Sequence, residues 1–219
     1  MVNGTGGNGA GSSASNYGVY VAIANGIQTT GGGAITVTGT GSTSSGGSNA
    51  GVVVTGSITG SGGARGRSGI GGHSLGTSNS GISVSSGSIT NTGSGGITLS
   101  ATAGMGANNN SNYGLYVLGG GTVSTVDGAL TISALGGGTG TASGGHGVYV
   151  TASGGTIRTT GAGALDVTAT GGAGSSGNND GVVLYVANSF QTTGTGNSTV
   201  RGTKGSGAGS YGIYDNAAN

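Results

Sequence analysis

The sequence predicts an all-β protein, a right-handed parallel β-helix (β-solenoid) of six to seven coils with about 33 residues and three strands per coil. A motif of the NYGVYV type recurs along the chain at nearly constant spacing. Each repeat contains three short apolar segments, of which the motif is the first. Glycine accounts for 59 of the 219 residues, and this leaves few stretches long enough for a helix.

The motif fixes the period. One glycine is shared by every copy, and successive copies are separated by 33, 30, 33, 33, 34 and 31 residues. These glycines are Gly18, Gly51, Gly81, Gly114, Gly147, Gly181 and Gly212. Such a narrow distribution indicates a repeat architecture. Residues 1–219 are therefore predicted to be a single uncapped solenoid segment, with coils that begin near residues 16, 49, 79, 112, 145, 179 and 210.

The motif itself predicts the first strand of each coil. Its apolar residues alternate with other residues, as in Val19 and Val21 or Ile82 and Val84. Since successive side chains of a strand point to opposite faces, this parity predicts an apolar inner face. The other parity holds an outward column of tyrosines and small residues, which are Tyr20, Val53, Ser83, Tyr116, Tyr149, Tyr185 and Tyr214.

Two further strands follow in each coil. The second reads GIQTTG, SITG or TIRTTG, and the third reads AITVTG, GITLSA or ALTISA. In the third strand Ile97 and Leu99 are predicted to face inward, and Thr98 and Ser100 outward. The segments RGRSGIGG from Arg65 and STVRG from Ser198 break this pattern, so both are predicted to be irregular loops.

Stacking of the coils buries the inner faces. Each strand is predicted to pair in parallel with its equivalents about 4.8 Å above and below. The corners between strands need positive φ or close backbone approach, which explains the abundance of glycine. Both outer coils are predicted to present open strand edges, whose partners would be flanking repeats or copies of the same chain stacked end to end.

Composition excludes several classes of function. Five basic residues and a net charge of +1 predict no binding to nucleic acid. No apolar run predicts a membrane span, and no cysteine is present for a disulfide or a thiolate metal site. The chain has no glutamate and its four aspartates are scattered, so we expect no enzyme activity, no metal and no cofactor.

The outward tyrosines are the candidate binding residues, namely Tyr20, Tyr116, Tyr149, Tyr185 and Tyr214. Tyrosine combines an apolar ring with a polar tip, which suits contact with glycans or cell surfaces. The alternative is a stacking ladder that only stabilises the sheet, at roughly 0.2–1 kcal/mol per cross-strand pair. A second outward column runs from Tyr17 through Tyr113, His146 and Asp180 to Tyr211, and the His146–Asp180 pair is expected to be a surface contact.

Three other features favour weaker alternatives. Outward Thr and Ser pairs on the third strand resemble the surface of an ice-binding solenoid, although the Arg65 segment interrupts them. Asp166 would be the first residue to test in a carbohydrate-active enzyme. Asn3, Asn109 and Asn197 begin N-x-S/T sequons that are predicted to lie in loops, and chance matches are expected in a chain so rich in Asn, Ser and Thr.

The repeats resemble those of large secreted bacterial β-helix proteins, both the filamentous-haemagglutinin type and the passenger regions of autotransporter adhesins. The resemblance covers nearly the whole chain and rests on period and composition. It implies a secreted protein, extracellular or at the cell surface, with a structural or adhesive role as a repeat array that forms or belongs to a long fibre.

Overall fold

The computed structural model of the chain describes residues 1–7, 11–72, 76–108, 110–151 and 153–217. Twenty strands, numbered β1 to β20 in chain order, form three parallel sheets, and no helix occurs within those ranges. Each coil contributes one strand to each sheet. The predicted all-β solenoid is confirmed, with about six turns of about 33 residues.

The strand bounds define the three sheets. The motif sheet contains β2 (Val19–Val21), β5 (Val52–Val54), β8 (Ile82–Ser85), β11 (Leu115–Leu118), β14 (Val148–Val150), β17 (Val182–Leu184) and β20 (Ile213–Asp215). The middle sheet contains β3 (Ile27–Thr29), β6 (Ser57–Gly60), β9 (Ser88–Asn91), β12 (Gly121–Thr125), β15 (Gly155–Thr159) and β18 (Phe190–Thr192). The threonine sheet contains β1 (Val2–Thr5), β4 (Ile35–Thr40), β7 (Arg65–Ile70), β10 (Ile97–Thr102), β13 (Leu130–Leu135), β16 (Leu165–Thr170) and β19 (Ser198–Thr203).

Apolar columns run through the interior of the coil, as the parity of the strands predicts. In the third coil Ile82, Val84, Ile89, Ile97 and Leu99 are all fully buried. Each lies in register with inward residues of the neighbouring coils, which are apolar except where Ile97 and Leu99 meet Arg65 and Arg67 of the second coil, and one core cluster links the three sheets. Burial of one such side chain contributes roughly 1.5–3 kcal/mol.

A ladder of buried asparagines accounts for the first residue of the motif. The backbone N–H of Asn49 donates to Oδ1 of Asn79 at 3.0 Å, and that of Asn79 donates to Oδ1 of Asn112 at 2.8 Å. The Asn79 amide also donates to the carbonyl of Gly76 at 2.5 Å. These side chains therefore satisfy backbone groups at a buried corner, where an unpaired group would be costly.

The corner before each motif carries positive φ, but serine and asparagine adopt it more often than glycine. Ser48, Ser78 and Ser111 have φ of 58°, 63° and 61°. The motif glycines instead allow close approach, because a Cβ added to Gly81 would lie 2.5 Å from the backbone nitrogen of Thr102. Glycine is therefore needed at these corners for close backbone approach, as predicted. The positive φ also predicted for glycine is adopted there mainly by serine and asparagine.

The prediction of irregular loops at Arg65 and Ser198 is wrong. Strand β7 pairs in register with β4 and β10, and β19 pairs with β16, because regular strands beside them offer complete ladders of backbone donors and acceptors. In β7 the side chains of Arg65 and Arg67 replace the inward apolar residues and are 1% and 2% exposed.

Candidate functional site

The outer face of the motif sheet carries the aromatic residues that the sequence singles out. Tyr116 pairs in register with Tyr149, and Tyr20 lies in the same column at the first coil. Tyr20 is 55% exposed, whereas Tyr116 and Tyr149 are half-buried. Burial raises the pKa of both half-buried phenols, so they stay neutral at physiological pH.

Tyr185 does not occupy the column position predicted for it. Val183 takes that register, opposite Tyr149 on one side and Tyr214 on the other, because the sixth motif contains two additional residues. The Tyr185 ring nevertheless contacts the rings of Tyr149 and Tyr214, with centroids 5.8 and 6.0 Å apart. The ladder of rings is therefore continuous from the fourth coil to the seventh, although its register is not.

The aromatic rings are packed most densely in the fourth and fifth coils, where the two neighbouring outward columns both carry rings. Tyr116 stacks on Tyr149 with centroids 5.5 Å apart and planes 4° apart. Tyr113 stacks on His146 at the same distance, with planes 2° apart, and it also contacts both other tyrosines. Four rings thus form one cluster that covers the centre of the motif sheet.

His146 and Asp180 are adjacent as their column predicts, but they are not a surface pair. His146 Nδ1 lies 3.2 Å from Asp180 Oδ2, and the two side chains are only 11% and 5% exposed. The backbone N–H of Asp180 donates to Nδ1 at 3.3 Å, and that of Tyr211 donates to Asp180 Oδ1 at 2.6 Å. The rings of Tyr113 and Tyr149 pack against the imidazole and the Tyr211 backbone bonds the carboxylate, so both groups are largely removed from solvent.

Burial shifts the two groups in opposite directions. It lowers the pKa of His146 to about 4 and raises the pKa of Asp180 above its usual value, since both charged forms lose hydration. At neutral pH His146 is therefore uncharged, and the contact is not an ion pair. Proton uptake by either group would allow a hydrogen bond between Nδ1 and Oδ2, in place of the one that Nδ1 accepts from the Asp180 N–H.

Two hollows lie on this face. The first has a volume of about 250 Å³ and lies between tyrosine walls, above a floor of small side chains from the second and third coils. Its walls are Tyr20 and Tyr116, and its floor is Ala50, Val53, Ser80 and Ser83. The second has a volume of about 660 Å³ and is lined by polar and aromatic groups that include Tyr113, His146, Asp180, Tyr185 and Tyr211.

The threonine sheet presents a separate hydroxyl-rich face. Thr98 and Thr131 pair in register and point outward, and in the second coil Gly66 continues this column while Ser68 continues the adjacent column of Ser100. The predicted interruption there is thus a pair of small residues in a regular strand. Toward the other end Arg201 Nη1 contacts Asp166 Oδ1 at 3.1 Å, an exposed ion pair that breaks the hydroxyl pattern.

The remaining candidate residues are dispersed. Asn3 lies in β1, not in a loop, Asn197 is exposed just before β19, and Asn109 lies outside the described residues. Among the described residues, no three His, Asp, Glu or Cys side chains are close enough to hold a metal ion. None of the described segments forms a helix of the length and apolarity needed to cross a membrane.

Comparisons with protein-family models, with curated proteins and with solved structures found no match to this chain.

Proposed function

We propose that this chain is a structural repeat array of a secreted, adhesive protein of the extracellular space or cell surface, and that its stacked coils act as a rigid spacer. One observation carries the proposal, namely the residue-for-residue parallel register that the coils keep along all three sheets. In such a stack each coil contacts only its neighbours, so coils can be added without changing the cross-section.

The outer strands support the same proposal. In β2 the side chains of Val19 and Val21 continue the inner columns, and in β19 Val200 does the same at the opposite end. Each of these strands has one unpaired edge within the described part of the chain. Flanking repeats or a second copy would complete the backbone ladder and extend the apolar column.

Electron microscopy of the protein isolated from its native source tests this proposal. We expect thin rods or fibres of constant width, and fibre diffraction with a spacing of about 4.8 Å along the long axis, because strands stack in that direction. Compact particles no larger than this chain would overturn the spacer function.

A second candidate function is glycan binding by the motif sheet. It is favoured by the first hollow, where tyrosine walls stand on both sides of a floor of small side chains. Tyr20 and Tyr116 are three coils apart, a separation of about 14 Å at the usual strand spacing. A short oligosaccharide could stack on the rings and donate hydroxyl hydrogen bonds to the serines between them.

Binding to a panel of immobilised neutral oligosaccharides tests this candidate. The double variant Tyr20→Ser/Tyr116→Ser should lose at least tenfold in affinity, because it removes both walls of the hollow, and should keep its β circular dichroism, because the two rings are outside the core. Thr98→Ala/Thr131→Ala is the matched control on the threonine sheet and should bind like the wild type. Equal binding by the tyrosine variant, or no binding by the wild type, would reject a glycan site here.

A further inference from the structure

Two arginines lie inside the second coil where every neighbouring coil has apolar residues. Arg65 is in register with Ile35 and Ile97, and Arg67 with Val37 and Leu99. Five of their six guanidinium nitrogens are buried and have no hydrogen-bond partner among the described residues. The sixth, Arg65 Nη1, donates to the carbonyl of Gly33 at 2.9 Å.

The coil is adapted to hold this pair. A Cβ added to Gly60 would lie 1.4 Å from Arg65 Nη2, so the guanidinium packs directly over the glycine backbone. At the same register position the other coils have side chains, which are Thr29, Asn91, Thr125, Thr159 and Thr192. The absence of a side chain at Gly60 therefore leaves the space that the Arg65 guanidinium occupies.

The chain supplies no negative charge to balance the two guanidinium groups. The sequence has no glutamate, and its first aspartate is Asp127, in the fourth coil. Two strand spacings separate that coil from the second, a distance of about 10 Å. Burial, together with the charge of Arg65, lowers the pKa of Arg67 to about 9, which leaves it protonated at neutral pH. Unpaired buried charge of this kind is strongly unfavourable.

We infer that the second coil encloses a small monovalent inorganic anion of the halide class, bound jointly by the guanidinium groups of Arg65 and Arg67. The unpartnered N–H groups are the donors that such an anion requires, and the two residues that carry them belong to one coil, paired in register with Ile35 and Val37 on one side and Ile97 and Leu99 on the other. A single-atom anion fits within one layer, whereas a tetrahedral oxyanion would extend into the apolar layers. Because the site is closed, the anion enters as the coil folds.

Equilibrium urea unfolding and refolding in sodium chloride and in sodium gluconate, at equal ionic strength, tests this site. Gluconate is too large to be enclosed, so the wild type should unfold at lower urea concentration in gluconate. Each tenfold rise in chloride above the dissociation constant should raise the folding equilibrium constant up to tenfold. Arg67→Met should abolish this dependence, and the matched control Arg158→Met, at an exposed position of β15, should retain it.

A second measurement holds even if Arg67→Met does not fold. Wild-type protein refolded and crystallised in sodium bromide should show an anomalous peak within hydrogen-bond distance of Arg65 and Arg67. Equal wild-type midpoints in chloride and gluconate, chloride dependence that persists in folded Arg67→Met, or bromide peaks confined to the surface would each overturn the enclosed anion.

Discussion

At the residue scale, burial decides the chemistry of His146. The imidazole is stacked on Tyr113, contacts Tyr149 and faces Asp180, and it is neutral at pH 7 because its pKa is lowered to about 4. The unfolded chain titrates this group near 6.5. Between these two values only the unfolded state binds the proton, so the free energy of unfolding falls as the pH is lowered from about 6.5 to 4.

We therefore predict that His146→Gln flattens the acid side of the stability profile. Below pH 6.5 the wild type should lose up to about 3 kcal/mol relative to the variant, measured by urea unfolding at each pH. Asp180 has the opposite effect on stability, because its pKa is raised in the folded state. Between its unfolded and folded pKa values only the folded state binds the proton, so lowering the pH through that range stabilises the fold. Asp180→Asn removes that opposing contribution and is the control. Parallel profiles for His146→Gln and the wild type would show that His146 is not titrating in this way.

At the element scale, strand pairing outweighs side-chain type. Strand β7 has two arginines and two glycines, yet it keeps full register with the strands on both sides. The corner between the threonine sheet and the motif sheet is similarly constrained by the backbone. A Cβ at residue 81 would lie 2.5 Å from the backbone nitrogen of Thr102, so only glycine fits there. Glycine is thus required at some positions and incidental at others.

Paired substitutions should separate these two kinds of glycine. Gly81→Ala should destabilise the fold by about 1–3 kcal/mol, because its Cβ would overlap the Thr102 backbone. Gly66→Ala is the control, since nothing lies within 4 Å of its added Cβ, and it should stabilise by about 0.4–1 kcal/mol through the unfolded state. Urea midpoints measure both changes, and equal shifts would contradict the close approach at Gly81.

At the scale of the whole molecule, the coils form a column in which the strand pairing repeats with the period of the sequence. The asparagine ladder, the apolar columns and the stacked tyrosines all run along the same axis. The spacer function, the glycan hypothesis and the enclosed anion each use a different part of this column, namely its length, its outer face and its interior. They can be tested independently for that reason.

Period and parity are local properties, and the sequence determined both. The spacing of Gly51 and Gly81 defines a coil, and alternation places Val84 inward and Tyr116 outward. The alternation also holds in the second coil. Arg65 is in register with inward-facing Ile35 and is itself buried, although a charged side chain is unfavourable in the interior.

Only the tertiary structure decided which side chains are buried and what they contact. The insertion in the sixth motif puts Val183 in the tyrosine register, a choice set by pairing with Tyr149 and Tyr214. The burial of His146 and the asparagine ladder likewise depend on residues about 33 positions away. A strand fixes the direction of its side chains by itself, but the coils above and below fix their surroundings.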